Sequence, residues 1–233
     1  MNEELKRITE RLEKGGFVMV YDADEREDEV DLVTPSQKIT PQKIRTLRRD
    51  AGGLICVTVP PKTWKKLEMP YLSDIFEKSS DDFSLLHEMK ADDIPYDERS
   101  TFSLTVNHRD TFTGITDIDR SLTIQRFAKL ATELKALSTE KAQSMFGKEF
   151  RTPGHVFLLN ATEGLTLKRE GHTELTTGLL KLTDLYPSMT ICEMLSDQGD
   201  SLDEEEARRY GKENDIPLIE GKKIKEALKE NNV

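Results

Sequence analysis

The hydrophobic positions of this chain fall into helical repeats and into short apolar runs. Leu5, Ile8 and Leu12 recur at helical spacing, and Gly15-Gly16 ends that helix. The short runs are rich in β-branched residues, which is typical of buried strands. The predicted strands cover residues 17–21, 30–33, 54–59, 101–108, 111–116, 155–161, 189–195 and 216–219.

Helical patterns occupy much of the remaining chain. Thr40 and Pro41 predict a helix start, with threonine as N-cap and proline in the first turn, and Gly52-Gly53 closes that helix. Further helices are predicted around Trp64, over residues 121–137, 202–214 and 222–230, and from Gly171 or His172 onward. Residues 77–100 are polar and lack periodic apolar positions, which predicts a long loop or lid.

Strands and helices are interspersed without strict alternation, and the chain has neither an internal repeat nor a low-complexity linker. This order favours a single α+β catalytic domain over residues 1–233, with a mixed β-sheet and surrounding helices. A chain of 233 residues is long enough to bury a packed core.

The charge balance argues against several classes of partner. The formal net charge is −10, whereas nucleic-acid binding and docking on anionic membranes both require a basic face. The sequence has no signal-peptide core and no apolar run near the ~20 residues of a membrane span. Cys56 and Cys192 lack metal-type spacing and are expected to be reduced thiols. We expect a cytoplasmic protein that binds neither nucleic acid nor membranes.

The decapeptide 22–31, DADEREDEVD, is the main candidate for chemistry, because seven of its ten side chains are carboxylates. It connects two predicted strands, which would hold the charges in place. In an extended segment Glu27, Glu29 and Asp31 share one face, where they can ligate a hard divalent cation or transfer protons. Arg26 can neutralise the group or hold an anion. The alternative is a solvated acidic turn.

A second motif, REGHTE at 169–174, precedes an apolar helix. The N-terminus of a helix offers free N–H groups and the positive end of its dipole, which suit a phosphate. Gly171 allows close approach to the backbone, and Thr173 and Arg169 add a hydroxyl and a cation. His172 is placed to ligate a metal beside the phosphate. The alternative is an ordinary capped helix.

Three further residues are weaker candidates. His155 follows a predicted tight turn over 151–155, where it either faces a site or is a hydrogen-bonded structural residue. Glu193 interrupts an apolar strand, and a carboxylate there is costly to bury unless it is paired, metal-linked or exposed at a sheet edge. Cys56 lies in another apolar strand and is expected to be a core thiol.

Six stretches, taken in order, carry a family resemblance. They are DADEREDEVD (22–31), RRDAGGLICV (48–57), TFTGITDIDR (111–120), RTPGHV (151–156), REGHTE (169–174) and ICEM (191–194). Together they resemble the 3,4-dihydroxy-2-butanone 4-phosphate synthase family in its stand-alone, archaeal-like form. The resemblance covers nearly the whole chain.

The resemblance implies conversion of D-ribulose 5-phosphate to L-3,4-dihydroxy-2-butanone 4-phosphate and formate in riboflavin biosynthesis. The implied route is a metal-stabilised enediolate, dehydration and skeletal rearrangement. The resemblance also implies an α+β homodimer with active sites near the subunit interface. Mg²⁺ or Mn²⁺ is the implied cofactor, with two ions per active site.

The resemblance assigns roles to individual positions. The implied protein ligands of the metals are Glu27 and His172. The implied substrate-binding residues are Arg26, Glu27, Asp31, Thr113, Arg169, Gly171, His172, Thr173 and Glu193. The implied catalytic residues are Glu29, Asp31, His155, Glu193 and Cys56.

Two positions depart from the family pattern. The family usually has glycine between its two loop glutamates, where this chain has Asp28, and a positive φ there would carry a modest strain. Thr152 replaces the usual serine and keeps the hydroxyl. Two alternatives remain open: another metal-dependent sugar-phosphate lyase or isomerase on the same scaffold, and a non-enzymatic nucleotide- or metal-binding module.

Overall fold

The computed structural model describes residues 3–23 and 26–231, and within them a mixed seven-stranded sheet confirms the predicted α+β class. The strands are β1 (Val18–Tyr21), β2 (Val30–Pro35), β3 (Cys56–Val59), β4 (Phe102–His108), β5 (Phe150–Asn160), β6 (Met189–Glu193) and β7 (Leu218–Glu220). Their order across the sheet is β4-β5-β3-β6-β2-β1-β7. The β3–β5 and β1–β7 pairs are parallel and the others are antiparallel.

Ten α-helices surround the sheet within the described residues. They are α1 (Glu3–Glu13), α2 (Pro41–Asp50), α3 (Pro61–Leu67), α4 (Leu72–Ser79), α5 (Ser84–Glu88), α6 (Asp117–Glu133), α7 (Thr139–Glu149), α8 (His172–Leu180), α9 (Glu204–Asn214) and α10 (Gly221–Glu230). Three short 3₁₀ turns complete the regular structure: Ser36–Lys38, Leu134–Ala136 and Leu165–Leu167. None of these helices has the length and apolar character needed to cross a membrane.

Both faces of the sheet are buried. On β2, Leu32 belongs to the apolar cluster that contains Ile44 of α2 and Phe127 of α6. Its neighbour Val33 belongs to a second cluster, with Leu179 of α8. Successive strand residues point to opposite faces, so helices on both sides explain why the strands are continuous apolar runs in the sequence.

Most element starts follow the local signals in the sequence. Thr40 Oγ1 accepts a hydrogen bond from the backbone N–H of Lys43 at 3.3 Å, which confirms the predicted cap of α2. The helix expected from Gly171 or His172 is α8, with Gly171 as its N-cap. The first N–H groups of a helix have no partner inside the helix, and only a few residue types suit the capping position. Helix starts can therefore be predicted from the sequence.

The strand predicted over residues 111–116 is wrong. This segment is a turn that leads from β4 into α6. Gly114 has φ +92°, and its N–H donates to Asp119 Oδ2 at 2.9 Å. Thr116 caps α6 by accepting from the N–H of Asp119 at 3.0 Å. These local side-chain bonds replace the ladder that a strand requires.

The loop predicted over 77–100 is only partly correct. Helix α4 extends to Ser79 and α5 follows, so irregular structure is confined largely to residues 89–101. Helix α5 has no buried residue and α7 buries only Ala142, which explains why apolar periodicity predicted neither helix.

The turn predicted over 151–155 lies inside β5 instead of before it. Val106 of β4 pairs with Val156 of β5, and Asn107 pairs with Arg151, so residues 152–155 have no counterpart on β4. This insertion is a large bulge, which bends the strand and re-aims its side chains. Gly154 sits in the bulge, where a Cβ would lie 2.0 Å from the backbone carbonyl carbon of Val106.

Replacing Gly154 with alanine should lower the free energy of unfolding by about 2 kcal/mol, because the methyl group overlaps the β4 backbone. Gly147→Ala in α7 is the matched control, since nothing lies within 4 Å of its added Cβ. The control should raise stability by about 0.5–1 kcal/mol. Urea denaturation followed by circular dichroism measures the free energy of unfolding of both variants. Equal changes in Gly154→Ala and Gly147→Ala would contradict the close packing of β5 on β4.

Candidate active site

The acidic stretch is folded around the buried carboxylate of Asp22, at the end of β1. Asp22 Oδ1 accepts from the N–H of Glu29 at 3.1 Å. Its Oδ2 accepts from the N–H of Glu27 at 3.2 Å and from Arg26 Nη1 at 3.1 Å. These bonds hold residues 26–29 in a turn. The expectation of one extended carboxylate face is therefore wrong, because Asp22 binds the N–H groups that an extended strand would present.

The turn nevertheless brings carboxylates next to His172, in the first turn of α8. His172 Nε2 lies 3.1 Å from the carbonyl oxygen of Val20, which accepts its proton. Nδ1 therefore faces the acidic loop, at 3.4 Å from Glu27 Oε2 and 3.9 Å from Asp31 Oδ1. A hydrogen bond that fixes one imidazole nitrogen prepares the other to ligate a metal.

The cluster is not the solvated acidic turn that the sequence left open. Asp31 is 1% exposed, and Asp22 is also buried. Both carboxylate oxygens of Asp31 lack a hydrogen-bond partner among the described residues. Asp24 and Glu25 of the same stretch lie outside the described residues. A buried carboxylate without hydrogen bonds is costly, so this position needs a proton or a cation close by.

Burial and neighbouring charges set the pKa values of the cluster. Burial raises the pKa of Asp31; His172 opposes this rise and Glu193 adds to it. Burial alone would lower the pKa of His172, but Asp31 and Glu27 outweigh burial and raise it. Burial alone would raise the pKa of Glu27, but hydrogen bonds from His172 and Arg26 lower it to about 2. The carboxylates thus favour a positive charge at His172 Nδ1.

Glu193 lies opposite Asp31 in the β2–β6 pairing. Strand β6 is in the middle of the sheet, so the alternative of an exposed edge strand for Glu193 is wrong. Burial raises the pKa of Glu193. Glu29 is half-buried, and burial together with Glu27 and Glu193 raises its pKa as well. Asp31, Glu193 and Glu29 are therefore three carboxylates with raised pKa values close to His172.

The residues present fit a divalent cation. Asp22, Glu27 and His172 each offer one ligand atom, and these atoms lie within 4.8 Å of one another. Carboxylate oxygens with one imidazole nitrogen form a donor set suited to Mg²⁺ or Mn²⁺. The orphaned oxygens of Asp31 lie beside the same histidine. Sequence reasoning missed Asp22, whose one signal is its position directly after a buried strand.

Two arginines lie at the N-terminus of α8, next to this cluster. Arg169 Nη1 donates to Glu174 Oε2 at 2.6 Å, while Arg26 is held by Asp22. A Cβ on Gly171 would lie 2.1 Å from Arg169 Nη1 and 2.9 Å from Arg26 Nη2. Both guanidinium groups therefore lie beside Gly171, and with the N-terminus of the helix they offer positive charge and donors suited to an anion; we call this arrangement the anion site.

Sequence reasoning missed two carboxylates of this anion site. Glu174 is fully buried and also accepts from the N–H of Thr162 at 2.7 Å. Asp97 Oδ2 accepts from Nη2 of Arg26 and from Nη2 of Arg169, both at 2.5 Å. Glu174 belongs to the REGHTE motif, so its place in the sequence is a signal for it. Asp97 lies in a polar segment where no pattern distinguishes it.

His155 and Thr113 form a separate group through Asn107. Asn107 Oδ1 accepts from the N–H of His155 at 2.9 Å, and Asn107 Nδ2 donates to the carbonyl of Thr113 at 3.4 Å. By strand register His155 lies at the same end of the sheet as Glu193, with β3 between their strands. Two strand spacings put their backbones roughly 10 Å apart.

The two remaining predicted site residues are buried. Cys56 is 1% exposed within the core, as expected, and burial raises the pKa of its thiol. Its role in catalysis stays a prediction. Thr173 Oγ1 lies 3.1 Å from Thr101 Oγ1 and shares a hydrogen bond with it. That bond joins the first turn of α8 to the residue that precedes β4.

Comparison with known proteins decides the family. The family model described as 3,4-dihydroxy-2-butanone 4-phosphate synthase matches residues 6–227. The chain belongs to the 3,4-dihydroxy-2-butanone 4-phosphate synthase family. It is 44% identical to the synthase of Methanosarcina mazei, over 97% of this chain and 91% of that protein. It is 43% identical to the synthase of Methanothermobacter thermautotrophicus, over 97% and 96%.

Solved structures of synthases have the same fold. The Candida albicans synthase gives a TM-score of 0.73 at 26% identity, and 98% of each chain is covered. A synthase in a cation-free form gives a TM-score of 0.77 at 21% identity, with both chains fully covered. A synthase in complex with two magnesium ions gives 0.73 at 22% identity, over 95% of this chain and 94% of that one.

Asp28 adopts the backbone conformation that the family's usual glycine would favour. Its φ is +55°, in the left-handed region. The Tyr21 hydroxyl donates to Asp28 Oδ1 at 2.7 Å. This synthase loop therefore keeps the positive φ, and a side-chain hydrogen bond offsets the strain of a non-glycine residue.

Asp28→Gly should leave the free energy of unfolding within about 0.5 kcal/mol of the parent, because relief of strain offsets the lost hydrogen bond. Asp28→Ala loses the same bond and keeps the strain, so it should cost about 1–2 kcal/mol. Urea denaturation measures the free energy of unfolding of both variants. EDTA is included so that bound metal does not contribute to the stability. Equal stabilities of the two variants would contradict the account of Asp28.

Proposed function

We propose that this chain is a 3,4-dihydroxy-2-butanone 4-phosphate synthase of riboflavin biosynthesis. It converts D-ribulose 5-phosphate into L-3,4-dihydroxy-2-butanone 4-phosphate and formate. The observation that carries the proposal is the cluster of buried His172 and Asp31 with the partly buried Glu27 and Glu193, beside two arginines. This arrangement supports the proposal, because the reaction needs cation ligands, proton-transfer groups and a phosphate-binding group close together. Residues 1–233 are proposed to act as one catalytic domain.

Glu27 and His172 would hold the divalent cation, Mg²⁺ or Mn²⁺, with two ions in each site. When bound, a divalent cation polarises a ketone oxygen and stabilises negative charge that develops there. Asp22 also offers a carboxylate oxygen within 4.8 Å of the ligand atoms of Glu27 and His172. The hydrogen bond from His172 Nε2 to Val20 keeps Nδ1 aimed at the loop.

The remaining carboxylates have roles as proton carriers. Asp31 and Glu193 face each other across β2 and β6, so they can take up and return protons at neighbouring carbons of one substrate. Glu29 is more exposed and lies next to the same site, which suits exchange with solvent. The reaction splits a five-carbon sugar phosphate into a four-carbon ketone and formate, so it consumes no external oxidant or reductant.

The phosphate of the substrate is assigned to Arg26, Arg169, Gly171 and Thr173. Arg169 is fixed by Glu174, so its position does not depend on the ligand. The arginines would bind the phosphate and not the reacting carbons. The binding energy gained at the phosphate would hold those carbons in position beside Glu27 and His172.

Purified protein should release formate from ribulose 5-phosphate in the presence of Mg²⁺, and EDTA should abolish this release. His172→Ala and Glu27→Gln should each lower turnover by about 10³-fold or more while the protein stays folded. His87→Ala, at an exposed position in α5, is the matched control and should retain activity. If a folded, Mg²⁺-loaded protein produced no formate but acted on other sugar phosphates, another lyase or isomerase activity would replace this proposal.

We propose further that the active enzyme is a homodimer with its sites near the interface. Phe112 is 95% exposed, and Ile115 and Ile118 are also exposed on the same turn and helix start. These apolar side chains adjoin the group formed by His155 and Thr113. A second copy that covers them would bring the partner's His155 toward the metal cluster of the first.

Mixed dimers test this arrangement. His155→Ala and His172→Ala chains should each be nearly inactive alone, because each homodimer lacks one part of both sites. Co-expressed, they should regain up to about one quarter of the parent activity, since half of the random dimers carry one intact site. Light scattering should give the mass of a dimer in every case. Dimers without recovered activity would place His155 in the site of its own chain.

A further inference from the structure

The two arginines of the anion site already share one carboxylate. Asp97 Oδ2 lies 2.5 Å from Nη2 of Arg26 and 2.5 Å from Nη2 of Arg169. The Asp97 side chain is only 11% exposed. It comes from the segment between α5 and β4, 71 and 72 residues away from its two partners along the chain. Asp97 is therefore an internal ligand of the anion site.

The arginines do not need Asp97 to hold their positions. Arg26 donates through Nη1 to Asp22, and Arg169 donates through Nη1 to Glu174. In both cases the Nη2 group is the one that faces Asp97. Asp97 thus accepts from the Nη2 group of each arginine. Asp22 and Glu174 hold the two guanidinium groups through Nη1.

We infer that Asp97 occupies the position of the substrate's phosphate and is displaced when the phosphate binds. This inference rests on the proposed function, because it takes the anion to be a sugar phosphate. Two anions cannot share the same pair of Nη2 groups, since like charges a few ångströms apart repel. A phosphate dianion offers three oxygens and more charge than a carboxylate, so it forms the stronger pair of bonds.

Displacement makes Asp97 a specificity-determining residue. An anion must bind the two arginines better than the resident carboxylate does before it can enter. A neutral sugar or a weakly binding monoanion does not meet that condition, whereas a phosphate ester does. Release of Asp97 from the arginines costs free energy. The protein's apparent affinity for any phosphate ester is therefore lower than it would be without Asp97.

The surroundings of Asp97 allow it to leave. Residues 89–101 contain neither helix nor strand, so few backbone hydrogen bonds hold them. Side-chain contacts hold the residues beside Asp97: the Tyr96 ring lies 5.3 Å from the guanidinium of Arg26, and Arg99 stacks at 3.7 Å on Tyr71, so release of Asp97 has to proceed against these two contacts but not against a strand ladder. Asp97 also borders a cavity of about 920 Å³. The same cavity is lined by Lys168, Lys222 and Lys225, which attract an anion, and by Glu170 and Glu220, of which Glu170 is paired with Lys225.

Asp97→Asn tests the inference by removing the competing charge while keeping the shape of the side chain. Titration calorimetry with inorganic phosphate, at one fixed Mg²⁺ concentration and above the second pKa of phosphate, should show about tenfold tighter binding than the parent. Asp93→Asn is the matched control, because it removes one charge from an exposed position in the same segment. It should bind phosphate like the parent. Melting curves check that each variant is folded.

Asp97→Ala removes the accepting oxygens as well as the charge, and should tighten phosphate binding at least as much. Unchanged or weaker phosphate binding in both Asp97 variants would overturn the inference, and Asp97 would then be a support for the arginines. In steady-state assays, Asp97→Asn should lower the KM for ribulose 5-phosphate without raising kcat. A merely structural role would lower kcat and leave the KM unchanged or higher.

Limited trypsin digestion reports on the segment itself, through cleavage after Lys90 and Arg99. In the parent, phosphate should accelerate cleavage there, whereas Asp97→Asn should be cleaved quickly with or without phosphate. Protection of the parent by phosphate would contradict displacement. Phosphate binding and digestion do not require turnover, so they distinguish failure of this inference from failure of the proposed synthase activity, which only formate release tests.

Discussion

The candidate site depends on a balance between buried carboxylates and the few cations among them. Asp22 and Asp31 are buried, and negative charges at such separations repel strongly where water is excluded. Arg26 bonded to Asp22, and His172 facing Glu27 and Asp31, offset that repulsion. The N-terminus of α8 adds the positive end of its dipole. The same side chains that fold the loop, Asp22 and Glu27, belong to the group that could hold a cation, so the fold of the loop and the proposed metal site are linked.

The sequence predicts secondary structure well where the signal comes from residues close together in the chain. The apolar runs of the central strands, the Thr40 cap and the start of α8 each depend on neighbouring residues. The family resemblance assigned Glu27 and His172 to one site, and His172 Nδ1 lies 3.4 Å from Glu27 Oε2. The family's usual glycine marked position 28 as the place where a positive φ would strain this chain, and φ there is +55°. The strand predicted at 111–116 failed because turn-forming side chains there compete with strand pairing.

Contacts between distant segments are the part that the sequence does not reveal. Apolar periodicity shows that β6 is buried, but it does not show that β6 lies between β3 and β2. Only that order sets Glu193 opposite Asp31 and removes the edge-strand alternative. Asp97 is the extreme case, because its meeting with two arginines depends on the path of an irregular segment.

The sheet also limits how the site can be completed. Its register puts His155 and Glu193 at one level, but the intervening β3 keeps their backbones roughly 10 Å apart. The bulge in β5 turns His155 toward Asn107, beside the exposed Phe112. A large apolar side chain left in water at that point is unfavourable. In the proposed homodimer a second copy would meet both conditions, since it would bury the apolar turn and bring its own histidine to the carboxylate cluster from outside.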